Sequence, residues 1–163
     1  MAKTRNIFIS HQGKDDDHVQ GLKKRLTDKG NNIRNSSVDS TKHTNKRPSD
    51  STIRKTLKDG ISWAGTFVCL IGEKTHESKW VNYEIEQAHL QGKTIVGVYL
   101  HGCKDDVKLP ENLVNYGGPV LGWNSLDKLE DAMDGKPIPS EKPDGTQRPP
   151  IKIVERVKCN KAA

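Results

Sequence analysis

The sequence predicts an α/β fold in which helices cover both faces of a central parallel sheet. The strand order taken for this sheet is 2-1-3-4-5, one of the two orders common in doubly wound folds. Strand-like and helical patterns alternate along the chain, as right-handed crossovers between parallel strands require. Apolar residues make up only 32% of the 163 residues but are concentrated in short β-rich runs. One of these runs, Ala64 to Ile71, is apolar enough to be buried on both faces, which is typical of a central parallel strand.

The first half of the chain is predicted to supply two strands and two helices. Arg5 to Ser10 form the first strand, and a helical pattern that follows the acidic residues 15–17 ends at Gly30. A weak second strand is expected within residues 31–38. Residues 39–50 contain no large apolar side chain and are predicted to form a long mobile loop before the second helix. Apolar positions with helical spacing define the core faces of the two helices: Val19, Leu22 and Leu26, then Ile53, Leu57 and Ile61.

The second half continues the alternation after the central strand. Residues 79–91 are predicted to form a third helix, which Gly92 ends. Residues 94–100 are a second apolar run and therefore a second central strand. The secondary-structure patterns are weaker after residue 100. Residues 120–121 indicate a short edge strand, and residues 125–133 indicate a last helix capped by Ser125. The core face of the third helix is expected to consist of Val81, Ile85 and Ala88.

The chain divides into a compact domain, residues 1–135, and a tail, residues 136–163. The tail carries five prolines, which break helices and central strands, although residues 151–157 have the composition of a further strand. Seven basic and three acidic residues give the tail a net charge of +4 of the total +6. We therefore predict that the tail is dispensable for the fold and acts as a contact arm.

Composition excludes several classes of protein. The three widely spaced cysteines, Cys69, Cys103 and Cys159, fit neither a disulfide framework nor a zinc site, so no metal is expected. Because the positive charge is mainly in the tail, no nucleic-acid surface is expected. No stretch approaches the roughly 20 apolar residues that span a bilayer. Residues 1–5 lead into the first strand without a signal-peptide cleavage site, so we expect a cytoplasmic protein that does not enter the membrane.

Ligands bind beyond the carboxyl ends of the strands in doubly wound sheets, where the strand order reverses. Here that point lies between the first and third strands. Trp80 and Glu84 are four residues apart and share a helix face, while Val81 and Ile85 are expected to point at the sheet. The side chains predicted to meet at this crevice are Ser10, His11, Trp80, Tyr83 and Glu84.

Several segments resemble the TIR (Toll/interleukin-1 receptor) domains, in particular the bacterial group that includes the TIR subunits of Thoeris anti-phage systems. These segments are Asn6 to His11, the polar loop after the second strand, Ser78 to Glu84, and the Gly-Lys turn into Ile95 to Val98. The most specific element is the Trp-x-x-x-Glu spacing after the third strand. The resemblance covers about residues 5–134.

The resemblance implies a flavodoxin-like, three-layer fold and cleavage of the nicotinamide–ribose bond of NAD⁺, which is the substrate, with no separate cofactor. The matching glutamate is Glu84, which would stabilise the ribosyl cation, orient the ribose hydroxyls or act as a transient nucleophile. Ser10 and His11 would contact ribose or phosphate, and Trp80, with Tyr83 beside it, would line the pocket or stack on a ring. An ADP-ribose-derived signal would reach an effector protein, and TIR–TIR assembly into homo-oligomers is expected.

Other interpretations remain open on the sequence alone. Glu84 could be a solvated helix carboxylate, and residues 15–17 resemble a phosphoacceptor cluster but lie too far past the first strand for that role. The chain could also be a non-catalytic TIR adaptor that acts by domain assembly. A nearer enzymatic alternative is a nucleoside deoxyribosyltransferase-like protein, because that fold also places a glutamate against an N-glycosidic bond.

Overall fold

The computed structural model describes residues 4–11, 16–35, 49–100, 102, 107–143 and 145–147, without the side chains of residues 16–18, 35 and 50. Residues 39–48 of the loop predicted at 39–50, and the possible strand at 151–157, lie outside these residues, while the last two residues of that predicted loop cap and begin a helix. Short 3₁₀ helices occupy Thr75–Glu77 and Trp123–Lys128. The strands are β1 (Asn6–Ser10), β2 (Asn32–Asn35), β3 (Thr66–Ile71), β4 (Thr94–Tyr99) and β5 (Val120–Leu121). The helices are α1 (Asp16–Asp28), α2 (Asp50–Trp63), α3 (Lys79–Leu90), α4 (Glu111–Tyr116) and α5 (Leu129–Met133).

The described strands form one parallel sheet in the order β2-β1-β3-β4-β5, which confirms the predicted topology. All six residues of β3 are buried, as the apolar run predicted for a central strand. In the register between β1 and β3, Ile9 pairs with Val68 and Ser10 pairs with Cys69. The carboxyl ends of these two strands therefore lie side by side.

The core consists of two apolar layers, one on each face of the sheet. One layer joins α1 and α5 to alternate residues of the sheet, and the other joins α2, α3 and α4 to the remaining ones. Each buried large apolar side chain contributes about 1.5–3 kcal/mol to folding. The core positions predicted for the first three helices are all buried: Val19, Leu22, Leu26, Ile53, Leu57, Ile61, Val81, Ile85 and Ala88.

Local sequence accounts for the ends of the helices that surround the central strands. The Ser78 side chain accepts a hydrogen bond from the backbone N–H of Val81 (3.2 Å) and so caps α3. Ser49 caps α2 in the same way through Thr52 (3.3 Å). Gly92, predicted to end α3, has a φ of +71°, a conformation that glycine adopts without steric cost.

Two parts of the second half differ from the predicted secondary structure. Helix α4 was not predicted, because six residues with only Leu113 buried show no periodic pattern. Tertiary hydrogen bonds hold it: the Asn112 side chain donates to the backbone carbonyl of Asn82 (2.7 Å), and the Asn112 N–H donates to Asn82 Oδ1 (3.2 Å). The predicted last helix is a 3₁₀ turn followed by α5, and Ser125 lies inside that turn with non-helical backbone angles instead of capping a helix.

The first residues after position 135, which the sequence assigns to a tail, contact the domain. The backbone N–H of Glu141 donates to the carbonyl of Val120 (2.7 Å), and the Val120 N–H donates to Ser140 Oγ (3.2 Å). Ile138 packs against the core layer that contains α5. Ser140 and Glu141 therefore bond to the backbone of the short edge strand β5, whose outer N–H and C=O groups no further strand of the described residues pairs.

Glu141 attaches this segment through a buried carboxylate with only 3% of the residue exposed. Its oxygens accept hydrogen bonds from the backbone N–H of Gly122 (3.0 Å) and from the Lys128 ammonium (2.9 Å). Burial by itself would raise the pKa of Glu141, but the hydrogen bonds from Gly122, Lys128 and Ser125 outweigh it and lower the pKa below its ordinary value. The charged form of Glu141 is thus the form that stabilises the fold.

The stability conferred by Glu141 should depend on pH. Because its pKa is lowered by folding, its contribution is fully present above the ordinary glutamate value of 4.5 and is lost as the pH falls through the lower value of the folded state. We expect Glu141→Gln to reduce the free energy of unfolding near neutral pH, and the difference from the native chain to shrink in acid. Denaturant titrations between about pH 3 and pH 7 measure this.

The exposed Glu73, replaced by Gln in the same way, is the matched control for that titration and should leave the free energy of unfolding nearly unchanged. A difference between Glu141→Gln and the native chain that persists unchanged down to pH 3 would show that the charge on Glu141 contributes nothing.

Candidate functional site

The candidate site lies where β1 and β3 end against helix α3. Ser10 is the last residue of β1, and its hydroxyl donates a hydrogen bond to Oε1 of Glu84 on α3 (3.1 Å). Both residues have 0% of their surface exposed. A carboxylate and a hydroxyl are thus joined inside the protein at the predicted crevice.

Glu84 reaches this position because it lies on the buried stripe of α3, with Val81, Ile85 and Ala88. The sequence pattern predicts that Val81 and Ile85 face the sheet and that Glu84 lies on a separate face with Trp80. At 3.6 residues per turn, position 84 is about 60° from position 81 and about 40° from position 88 around the helix. Docking of the apolar stripe on the sheet therefore carries Glu84 inward as well.

Cys69 of β3 is the residue next to this pair, in register with Ser10. Burial, and then the nearby charge of Glu84, raise the pKa of the Cys69 thiol well above its ordinary value. The thiol is therefore neutral and inert as a nucleophile. Its position near Glu84 follows from the strand register with Ser10.

Trp80 and Tyr83 form an aromatic pair near this site. Their ring centroids are 6.0 Å apart in an edge-to-face arrangement, and both side chains are half-buried. The Lys79 ammonium lies 4.9 Å from the Trp80 ring, and the Tyr83 hydroxyl donates a long hydrogen bond (3.5 Å) to the backbone carbonyl of Arg54 on α2. Tyr83 thus faces α2, and sequence reasoning had not associated Arg54 with it.

The remaining predicted site residue, His11, follows Ser10 and is 8% exposed. The structure therefore brings Ser10 and Glu84 into direct contact and places His11 beside them in the chain. Trp80 and Tyr83 contact each other through their rings. The alternation of side chains along β1, with Phe8 and Ser10 on the α3 face, is the signal from which the contact between Ser10 and Glu84 could have been anticipated.

Within the described part of the chain, no group of three or more histidine, cysteine or acidic residues is arranged to hold a metal ion. None of the helices in those same ranges has the length and apolar character needed to cross a membrane.

Comparison with solved structures shows relatives of the same fold. A 2-deoxyribosyltransferase from Bacillus psychrosaccharolyticus superposes with a TM-score of 0.56 at 14% identity, over 75% of this chain and 90% of that one. The CMP N-glycosidase BcmB of Clostridium botulinum superposes with a TM-score of 0.52 at 17% identity, over 80% and 98% of the two chains. At these identities the likeness concerns the fold alone.

Sequence comparison is more specific. A protein of Bacillus cereus (strain MSX-D12), provisionally named cyclic ADP-D-ribose synthase ThsB1, is 30% identical over 60 residues, which are 37% of this chain. The match spans only 31% of that relative's length. The model of the TIR-like domain of Thoeris protein ThsB matches residues 8–105, more than half of the chain and a range that includes Ser10 and Glu84. The chain belongs to the TIR-like domain family of the Thoeris protein ThsB.

Proposed function

We propose that this chain cleaves the nicotinamide–ribose bond of NAD⁺ with Glu84 as the catalytic carboxylate. The observation that carries the proposal is the buried carboxylate at the carboxyl ends of β1 and β3, joined to Ser10 by a hydrogen bond. Membership of a TIR-like family supports the assignment. So does the name of the Bacillus cereus relative, which describes synthesis of cyclic ADP-D-ribose.

The chemistry explains why one carboxylate is enough. When the N-glycosidic bond breaks, its electron pair goes to the nicotinamide nitrogen, so nicotinamide leaves as a neutral molecule and needs no general acid. The positive charge moves to the ribose, whose transition state resembles an oxocarbenium ion. A fixed anion beneath the ribose stabilises that charge, and its effect is largest in a site from which water is excluded.

The fate of the ribosyl cation defines the product. Capture by water, which releases a proton, gives ADP-ribose, whereas capture by a nucleophilic nitrogen or oxygen of the same molecule gives a cyclic product. We propose that the product is a diffusible signal that an effector protein binds in the bacterial cytoplasm during defence against phage. The cyclic product is favoured by the name of the relative.

The remaining predicted residues are assigned to substrate contacts in this proposal. His11, beside the end of β1, contacts ribose or phosphate, and the pair of Trp80 and Tyr83 lines the entrance to the pocket. Because Glu84 has no exposed surface in this structure, its carboxylate reaches NAD⁺ only after neighbouring side chains move. We therefore propose that ligand binding or TIR–TIR assembly produces the active form. Activation by assembly would make the turnover per chain rise with protein concentration, whereas activation by ligand binding alone would not.

The second candidate is a transferase or hydrolase of nucleosides or nucleotides, such as a deoxyribosyltransferase. A carboxylate against an N-glycosidic bond suits this reaction equally well, and the fold is shared with two proteins named for it. A TIR adaptor without catalytic activity is the third interpretation. The buried contact between Ser10 and Glu84 favours an enzyme over an adaptor, because burying a carboxylate costs stability unless it is compensated.

The three candidates are distinguished by incubating the folded chain with NAD⁺, with deoxynucleosides and with CMP, over a wide range of protein concentration. Mass spectrometry should detect nicotinamide together with equimolar ADP-ribose or its cyclic isomer. Release of bases from deoxynucleosides or CMP, without release of nicotinamide, would favour the second candidate. Failure to cleave any of them at the highest concentration would favour the adaptor.

A further inference from the structure

We infer that Ser10 is a positioning residue that orients the carboxylate of Glu84, rather than a residue that contacts the ligand. The effect of Ser10 on catalysis rests on the proposed function. The contact between Ser10 and Glu84 can be tested independently of any activity.

The backbone at Ser10 is held more firmly than that of an ordinary loop residue. Strand β1 is paired on both sides, with β2 and with β3, and Ser10 itself is in register with Cys69. Its side chain has no exposed surface and lies on the same face of the sheet as Phe8, which packs in the layer containing α3. The direction from which the hydroxyl approaches Glu84 is therefore set by the sheet.

The hydrogen-bonding capacity of serine then limits what Ser10 can do. A hydroxyl has one hydrogen to donate, and in this structure Oε1 of Glu84 accepts it at 3.1 Å. Hydrogen bonds to ionised groups are roughly twice as strong as neutral ones. A ligand would have to displace Glu84 to receive this hydrogen, so the Ser10 hydroxyl is engaged in holding the carboxylate.

Positioning matters for this reaction because the anion must lie under a charge that exists only in the transition state. Interactions made in the transition state alone affect kcat, whereas contacts made equally with bound substrate affect KM. A positioning residue for Glu84 should therefore affect kcat, and a contact to ribose or phosphate should affect KM.

The kinetic test uses Ser10→Ala, Ser10→Thr and the control Ser78→Ala. For Ser10→Ala we expect kcat for NAD⁺ cleavage to fall about tenfold to a hundredfold, with KM changed by less than about twofold. Ser10→Thr keeps the hydroxyl and should recover most of the lost kcat. Ser78→Ala removes the cap of α3 and should lower the melting temperature while leaving kcat within a few-fold of the native value.

The second test does not depend on enzymatic activity and uses carbon-13 NMR of protein labelled at the glutamate carboxyl carbons. The Glu84 resonance is assigned by its loss in Glu84→Gln. We expect Ser10→Ala to shift this resonance and Ser78→Ala to leave it in place. If the native chain cleaves no NAD⁺, the proposed function fails, while this measurement still decides whether Ser10 holds Glu84.

Three results would overturn the inference. The first is a raised KM with unchanged kcat in Ser10→Ala, which would make Ser10 a ligand contact. The second is a Glu84 resonance that does not respond to the loss of the Ser10 hydroxyl. The third is a fall in kcat for Ser10→Ala no larger than that for Ser78→Ala when both variants lose the same amount of melting temperature, which would reduce Ser10 to a structural role.

Discussion

Glu84→Gln is expected to reduce NAD⁺ cleavage by about a hundredfold or more, which corresponds to about 2.7 kcal/mol of transition-state stabilisation. Gln keeps the shape of the side chain and an oxygen that accepts from Ser10, but removes the negative charge that the oxocarbenium-like transition state requires. Because the Gln side chain still accepts the hydrogen bond from Ser10, and burying an amide costs less than burying a charge, the substitution should not destabilise the fold. Initial rates of nicotinamide release and thermal unfolding, measured on the same preparation, check both expectations.

The matched control is Glu86→Gln, which makes the same substitution at an exposed position on the same helix. We expect this variant to retain the native rate. Retention of most of the activity by Glu84→Gln, with unchanged melting behaviour, would remove Glu84 from the mechanism. An equal loss of activity in Glu86→Gln would indicate that the overall charge of α3, rather than the carboxylate of Glu84 in particular, accounts for the activity.

Truncation after Gly135 is expected to destabilise the domain, in contrast to the dispensable tail predicted from the sequence. It removes the hydrogen bond that Gly122 donates to Glu141, the two hydrogen bonds that join Ser140 Oγ and the Glu141 N–H to Val120, and the packing of Ile138. We estimate a loss of about 3 kcal/mol. At roughly 2–4 °C per kcal/mol for a chain of this size, the melting temperature should fall by about 6–12 °C.

Truncation after Gln147 is the comparison that keeps all of these contacts. If the loss comes from the contacts with β5, Glu141→Gln should reproduce part of it and the longer truncation should not. A melting temperature that is unchanged by truncation after Gly135 would show that the segment is a contact arm, as its prolines and charge had suggested.

The strands and the three long helices could be predicted because their patterns are local. Strand β3 is apolar at consecutive positions and is buried on both faces, and α2 repeats an apolar residue every four positions. Such periodicities depend on the geometry of one element, so they need no knowledge of its neighbours. The parallel sheet followed from the alternation of these elements together with the rule for right-handed crossovers, whereas the strand order came from the order common to doubly wound sheets and from the family resemblance.

The identity of Glu84 as the candidate catalytic residue could also be inferred from sequence, through its spacing from Trp80 and the family resemblance. The environment of Glu84 could not be inferred from sequence. The side chain is buried against Ser10 and Cys69 because β1 and β3 align those two residues and because α3 docks on that end of the sheet. These relations connect residues 74 positions apart, and no periodicity within one element encodes them.

The sequence by itself thus determined the strands, the long helices and the residue types at the crevice, because each depends on a local repeat or on a short motif. Only the tertiary structure decided the inward direction of Glu84, the existence of α4 and the attachment of the segment that contains Glu141. Helix α4 is too short to be stable alone and depends on hydrogen bonds with Asn82. The segment after residue 135 has no regular pattern of its own and is held because edge strand β5 and the N–H of Gly122 offer it partners.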